Sequence, residues 1–272
     1  MGDIYDSIII GKERFDFIKG VDNFKSKMGE YFPNEIKAIE KYINLIFSVN
    51  KVSAKFYIEK TLSPIMSFFF SNYFRKKFLN YSDRTTYDVL SEITSNEKLI
   101  KVLCGQYGDY GLPPKQSSFA MHASLAKHYM NGGSVPNGGS SKILETIGKV
   151  ITKNGGTILV RAEVNEIIIK NNKAKGVRLM DDNCIYADTV ISGAGVFNTF
   201  KKLVPASISI KHKYLEKLKN IKPSVGYICL YVGLKGSSND LNLPKNNLWI
   251  YPDDLDHDGC VDRFTKDNDE EF

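Results

Sequence analysis

At 272 residues the chain is long enough to bury a core, as one large domain or two smaller ones. Its 42% hydrophobic and 25% charged residues are ordinary for a globular protein. The net charge of +6 comes from lysines spread along the chain. That spread points to solubility and away from a nucleic-acid footprint.

Tyr5–Gly11, "YDSIIIG", imitates the opening strand of a dinucleotide-binding unit. Such a strand runs into GxGxxG, whose glycines let backbone amides approach a pyrophosphate. Here Gly11 is followed by "KERF", and the fingerprint is absent from the whole chain. The stretch reads instead as two short strands, Ile4–Ile10 and Arg14–Ile18, around a polar turn. Next, Ile36, Ile39, Ile43, Leu45, Ile46 and Phe47 form a near-helical stripe, with Asn34 as its expected N-cap.

Leu62–Phe74 is the most apolar window, interrupted by Pro64 and followed by the basic run Arg75-Lys76-Lys77. It is too short for a bilayer, which needs about 20 apolar residues. A buried helix is the simpler reading; a helix lining a lipophilic cavity or resting on a membrane surface is the alternative. Residues 83–105 read as two short helices broken near Ser95-Asn96.

Residues 105–141 then concentrate glycine, proline and aromatic side chains. The run reads as a long loop, or as a loop that comes close to a flat ligand. His122 and His128 fall in an expected helix, as packed or solvated side chains. From Pro136 a glycine-rich turn leads into an amphipathic helix with Ile143, Leu144, Ile147, Val150 and Ile151 on one face. Ser140 or Ser141 is its expected cap, and Gly155-Gly156 its end. "TILVR" reads as a strand, "VNEIIIKNNKAKGVRLM" as a hairpin turning at "NNK", and "CIYAD" as another strand. "TVISGAG" runs apolar into glycines; spacing alone favours a tight turn there. Val225–Val232 and Leu248–Tyr251 read as further strands.

The four cysteines lack metal-ligand spacing and read as free thiols in a reducing compartment. "DLDHDG" has Thr265 where a calcium loop needs its closing glutamate, so a solvated acidic loop is expected and no metal site. The first residues lack a signal-peptide pattern. A cytoplasmic location is expected, with membrane-surface association as a variant of it.

Taken in order, "GQYGDYGLPP", "SFAMHASLAKHYMNGG", "VPNGGSSKILETI" and "NGGTILVRAEVNEIIIKNNKAKGVRL" followed by "ADTVISGAG" resemble one family. It is that of the FAD-dependent oxidoreductases of the phytoene desaturase, carotenoid isomerase and retinol saturase type. "YDSIIIGKERFDFIKGVDNFKSKMGEYFPNEIKAIEKY" resembles the start of the same family's substrate domain. The likeness covers at least Ile4–Pro205.

The resemblance implies a mixed α/β fold. A partial, Rossmann-like FAD-binding domain over 132–204 would interrupt a sheet-plus-helices substrate domain over 1–131 and 205–272. It implies FAD as cofactor and a hydrophobic polyene or lipid as substrate. Val164, Ser192, Gly193 and Ala194 would lie near the dinucleotide, with Val164 close to Ala194. Pro136, Gly138, Gly139 and Phe69 would border the substrate cavity; no catalytic residue is assigned. Family members carry GxGxxG before the region matched here and a flavin-closing segment after it. An internal fragment that binds FAD weakly is therefore expected. The alternatives are one subunit of a split enzyme, completed by the missing N-terminal half, and a non-catalytic lipid- or partner-binding remnant.

Overall fold

The computed structural model describes residues 2–221, 226–253 and 255–266, with the backbone alone at 64, 67–74 and 264–266. In chain order the elements are β1 (Ile4–Ile10), β2 (Glu13–Ile18), α1 (Val21–Tyr31), α2 (Ile36–Glu59), α3 (Pro64–Ser82), α4 (Thr86–Ser91), α5 (Glu97–Leu103), α6 (Phe119–Tyr129), α7 (Ser141–Lys153), β3 (Val164–Lys170), β4 (Lys173–Leu179), β5 (Cys184–Tyr186), α8 (Val196–Asn198), α9 (Ala206–Lys211), α10 (Tyr214–Leu218), β6 (Asn247–Tyr251) and α11 (His257–Lys266). Helices and two small sheets make the mixed α/β character that the sequence implies. The chain forms two compact units: Met1–Val135 with Ser224–Phe272, and Pro136–Pro223. Residues 205–223 group with the second unit, since α9 packs on the π-helical turn Thr199–Leu203 and α10 packs on α9.

In the first unit, β1 and β2 form a hairpin closed at Ile10↔Glu13, and β6 runs parallel to β1 on its other side. As the central strand β1 is buried on both faces, with Tyr5, Asp6, Ser7, Ile8 and Ile10 all inside. Residues 226–232 form no strand. The strand expected over Val225–Val232 finds no free edge on β1, because β2 and β6 fill both. Tyr227, Ile228 and Leu230–Val232 are exposed instead.

Helix α1 is anchored by buried Phe24 and Met28, and Phe24 meets Phe17 edge-on at 5.3 Å between ring centres. Helix α2 buries Ala38, Ile39, Tyr42, Ile43, Ile46 and Val49, a stripe of three- and four-residue steps. Ile36 and Phe47, expected inside, are exposed at 46% and 39% because they fall off that arc. Asn34 does not cap α2; it lies within a 3₁₀ turn, Pro33–Glu35, that precedes the helix. The break between α4 and α5 is a capping event, Asn96 accepting from the Leu99 N–H at 3.1 Å. The side chains of Phe68, Phe69, Phe70, Tyr73 and Phe74 lie outside the described ones; their backbone runs in α3.

The glycine-rich loop after α5 packs onto protein. A Cβ on Gly105 would stand 2.8 Å from two carbons of Ile8, and one on Gly108 would stand 2.9 Å from the Trp249 ring. The missing side chains let this loop lie down on the sheet. Gly105→Ala, which overpacks a buried contact, is expected to cost about 1–3 kcal/mol. Urea unfolding followed by the single tryptophan, Trp249, reads this directly, and a cost below about 0.5 kcal/mol would contradict the close approach.

The second unit is thinly cored. Ile167, Ile168, Val204 and Leu218 are its buried hydrophobic side chains among the described residues. β3 and β4 form a hairpin turned by Asn171 and Asn172, both at positive φ (52° and 59°), the backbone of a two-residue primed turn. β5 extends the sheet in the order β3-β4-β5. Helix α7 starts after Ser140, which makes no side-chain cap, and closes with Gly155 and Gly156 donating to Thr152 and Ile151. "TILVR", expected to be a strand, carries none. The apolar side chains of α7 are exposed, from 37% at Ile151 to 63% at Leu144. Among the described residues no helix is long and apolar enough to cross a membrane.

Candidate functional site

The alternation of β3 puts Ile167 and Ile169 on one side of the hairpin, and Ala174 pairs with Ile169. Against them lie Val190, Ser192, Gly193, Gly195, Val196, Thr199, Phe200 and Val204. These residues line a shallow, largely apolar cavity of about 590 Å³. Its loop is held by hydroxyls. Ser192 Oγ donates to Thr199 Oγ1 (2.7 Å), which donates to the Gly195 carbonyl (2.8 Å). Ala194 N–H leans on Ser192 Oγ at 3.4 Å, and Asn198 donates to the Ala194 carbonyl at 3.0 Å. Beside Gly193 and Gly195 there is open space where a Cβ would be.

Two of the four expected cofactor residues, Ser192 and Gly193, line this cavity; Val164 and Ala194 do not. Val164 sits at the first position of β3, opposite Leu179. Pro136, Gly138 and Gly139 form an exposed turn, Gly139 N–H donating to the Pro136 carbonyl at 3.0 Å, with Gly138 at φ 85°. Thr199, Phe200 and the β3 isoleucines were missed by motif reading. The two-residue period of "NEIII" was the signal for the isoleucines; nothing local marked Thr199 or Phe200. A second cavity of about 640 Å³ is lined by Lys170, Lys173, Lys175, Tyr186 and Asp188, a solvated charged surface on the same hairpin.

The first unit carries a buried polar interior. Asp6 is 1% exposed; one carboxylate oxygen accepts from Gln106, and the other lacks a partner among the described residues, as does the Trp249 indole nitrogen. Burial raises the Asp6 carboxyl above the usual range, while the side chains of Asn247, Gln106 and Trp249 work against that rise. His122, buried in α6, is held by the Tyr42 hydroxyl on Nε2 (3.0 Å) and the Tyr110 hydroxyl on Nδ1 (3.1 Å). Burial lowers its pKa to about 4. A neutral ring satisfied at both nitrogens is packing rather than chemistry, and His128 is exposed. Cys104 is buried, with its thiol pushed up by burial; Cys184 and Cys229 are exposed.

The acidic loop is structural. Asp258 accepts from the Lys115 N–H (3.0 Å) and Asp256 from the Gly259 N–H (3.1 Å). Among the described residues no group of three His, Cys, Asp or Glu side chains is placed to hold a metal ion.

The cavity at Ser192–Gly195 suits the edge of a flat ring: apolar walls, small residues and backbone without overhanging side chains. It does not suit a diphosphate. Among the described residues no cationic side chain lines it, and α8 has only three residues, too few for a helix terminus that carries phosphate binding.

No protein-family model matches the chain. It is 32% identical over 261 residues to an all-trans-retinol 13,14-reductase of Danio rerio, covering 92% of this chain and 43% of that one. The human all-trans-retinol 13,14-reductase is 31% identical over 267 residues, with 93% and 43% covered. Prolycopene isomerase 1, chloroplastic, of an Oncidium hybrid cultivar is 24% identical over 222 residues, with 79% and 37% covered. A solved oxidoreductase from Methanosarcina mazei overlaps 61% of this chain and 40% of its own at a TM-score of 0.47 and 24% identity. The chain therefore spans about two-fifths of the length of the curated relatives it matches.

Proposed function

We propose, because the chain belongs to the family of the retinol saturases and carotenoid isomerases, that it forms part of a flavin-dependent oxidoreductase acting on a hydrophobic polyene. The observation that carries this reading is the similarity to all-trans-retinol 13,14-reductase, which runs through 92% of the chain and so involves both units. The apolar cavity beside Ser192 supports it from the structure.

In this reading the second unit belongs to the cofactor side. Ser192 and Gly193 give a ring edge an apolar, open-backbone wall, and Val164 and Ala194 lie further along the same dinucleotide. The first unit belongs to the substrate side, with Phe69 of α3 as a substrate contact; in the second unit the turn at Pro136, Gly138 and Gly139 is read as a loop bordering substrate. When bound, the flavin supplies hydride chemistry. This chain's residues supply shape and exclude water from apolar surfaces; the groups that hold the phosphates lie outside it.

The purified chain is therefore expected to carry FAD at well under one-tenth occupancy, read from its visible absorption; a stoichiometric flavin band would overturn this division of labour. Function is tested by a chimera in which this chain replaces the matched region of the Danio rerio enzyme. Reduced retinol, detected by chromatography, is the expected product. A folded, flavin-loaded chimera without product would favour a non-catalytic role, as the name of another relative from the same fish, "Inactive all-trans-retinol 13,14-reductase", 28% identical, implies for that protein.

A further inference from the structure

The glycine-rich loop after α5 lies as a strap over one face of the sheet of the first unit. Asp6 and Ile8 are two apart on β1, and Asn247 and Trp249 pair with them from β6, so all four side chains share that face. Gly105 of the strap comes down on Ile8 and Gly108 on the Trp249 ring. Gln106 spans the two layers, its amide donating to Asp6 Oδ2.

Two polar atoms between the layers are left over. Among the described residues Asp6 Oδ1 has no donor and the Trp249 indole N–H has no acceptor. Asp6 is 1% exposed and both atoms are buried, so their lack of a partner is not a matter of surface left open. Buried polar groups left unmade in this way cost free energy. The indole is near enough to favour the charged carboxylate, yet it makes no hydrogen bond to it. One small group serves both atoms. A hydroxyl gives its proton to the carboxylate, and its oxygen accepts from the indole N–H.

The strap is a layer that can part from the sheet. The backbone N–H groups of Gly105, Tyr107, Asp109, Tyr110 and Gly111 bond to carbonyls between Val102 and Tyr107 and not to the strands. Side chains make the polar ties between the layers: Gln106 to Asp6, and the Tyr251 hydroxyl to the Gly105 carbonyl at 2.5 Å.

We propose that Asp6 and Trp249 are specificity-determining residues that bind, under the strap, the hydroxyl end of an alcohol-terminated polyene. The inference rests on the polyene reading of the first unit and adds to it which end of the substrate is recognised. Water carries the same hydroxyl chemistry, and the test separates the two sources.

The full chain, without flavin, is titrated with all-trans-retinol, a primary alcohol, and with axerophthene, the hydrocarbon in which hydrogen replaces that hydroxyl. Binding is read from the fluorescence of each polyene. A site built to bond a hydroxyl rejects the analogue that lacks it, so retinol is expected to bind roughly tenfold or more tighter. Asp6→Asn and Trp249→Phe, which keep the shape of the site, are each expected to remove that preference by weakening retinol and not axerophthene. If one variant does not fold, the other decides. Equal affinities in the wild type overturn the proposal and assign the pair to a water molecule. A preference that survives in a folded variant overturns it as well. Binding without preference leaves the polyene reading standing, whereas no binding of either probe counts against both.

Discussion

Taking the protein from pH 7 to pH 4 is expected to remove about 3 kcal/mol of the first unit's stability through His122 alone. The ring is wholly buried between two tyrosine hydroxyls, and one of its nitrogens must accept while the other donates. A proton added to the accepting nitrogen places an uncompensated charge in the core, so burial lowers the folded-state pKa to about 4 from an unfolded 6.5. Between those values the unfolded chain binds more protons than the folded one, and stability rises with pH. The contribution is fully present above 6.5 and is lost as pH falls through the window toward 4. Each pH unit of that window corresponds to about 1.4 kcal/mol. Urea titrations at a series of pH values, with Trp249 as probe, measure it against His122→Gln. The wild type should lose about 3 kcal/mol more than the variant across the window. Parallel curves would show that His122 is not the titrating group.

Phe24→Ala is expected to cost about 3–5 kcal/mol, the range for emptying a buried phenylalanine site. Helix α1 fully buries Phe24 and Met28, with Val21 and Tyr31 packed at the edge of the core, so that ring is one of its two main anchors. The site cannot collapse well, because Phe17 stands edge-on to the lost ring from a strand fixed on its other side by β1. Trp249 lies in the sheet that α1 covers, and its unfolding midpoint in urea reports the loss. A cost under 1 kcal/mol would mean that α1 is held by its loops and not by its face.

How far the sequence speaks depends on whether the information is local. The β1–β2 hairpin, the break at Ser95-Asn96 and the Asn171-Asn172 turn each lie within a few neighbouring residues, and each was legible. The strand at 226–232 was misread for a nonlocal reason. β-rich composition says that a segment will pair if an edge is free, and β1 has no free edge. "TILVR" fails in the same way, for want of a partner. Asn34 was misjudged because a 3₁₀ turn moves the N-cap one residue on, to Glu35. In the candidate cavity, Ser192 and Gly193 were named from the family resemblance, since the glycine spacing by itself favoured only a tight turn. Thr199 and Phe200 enter only because the chain folds back over β3, which no local pattern announces.

The parallel partnership of β1 and β6 has a consequence in time. Asn246 bonds Ser7 from 239 positions away, next to the register that seats Trp249 beside Ile8. At roughly 5–20 residues per second, a ribosome that has finished β1 needs on the order of 10–50 seconds to deliver β6. Throughout that interval the nascent chain holds a hydrophobic strand with one open edge, the kind of surface that recruits stray strands. The second unit emerges in the meantime, so the first to be started is the last to close.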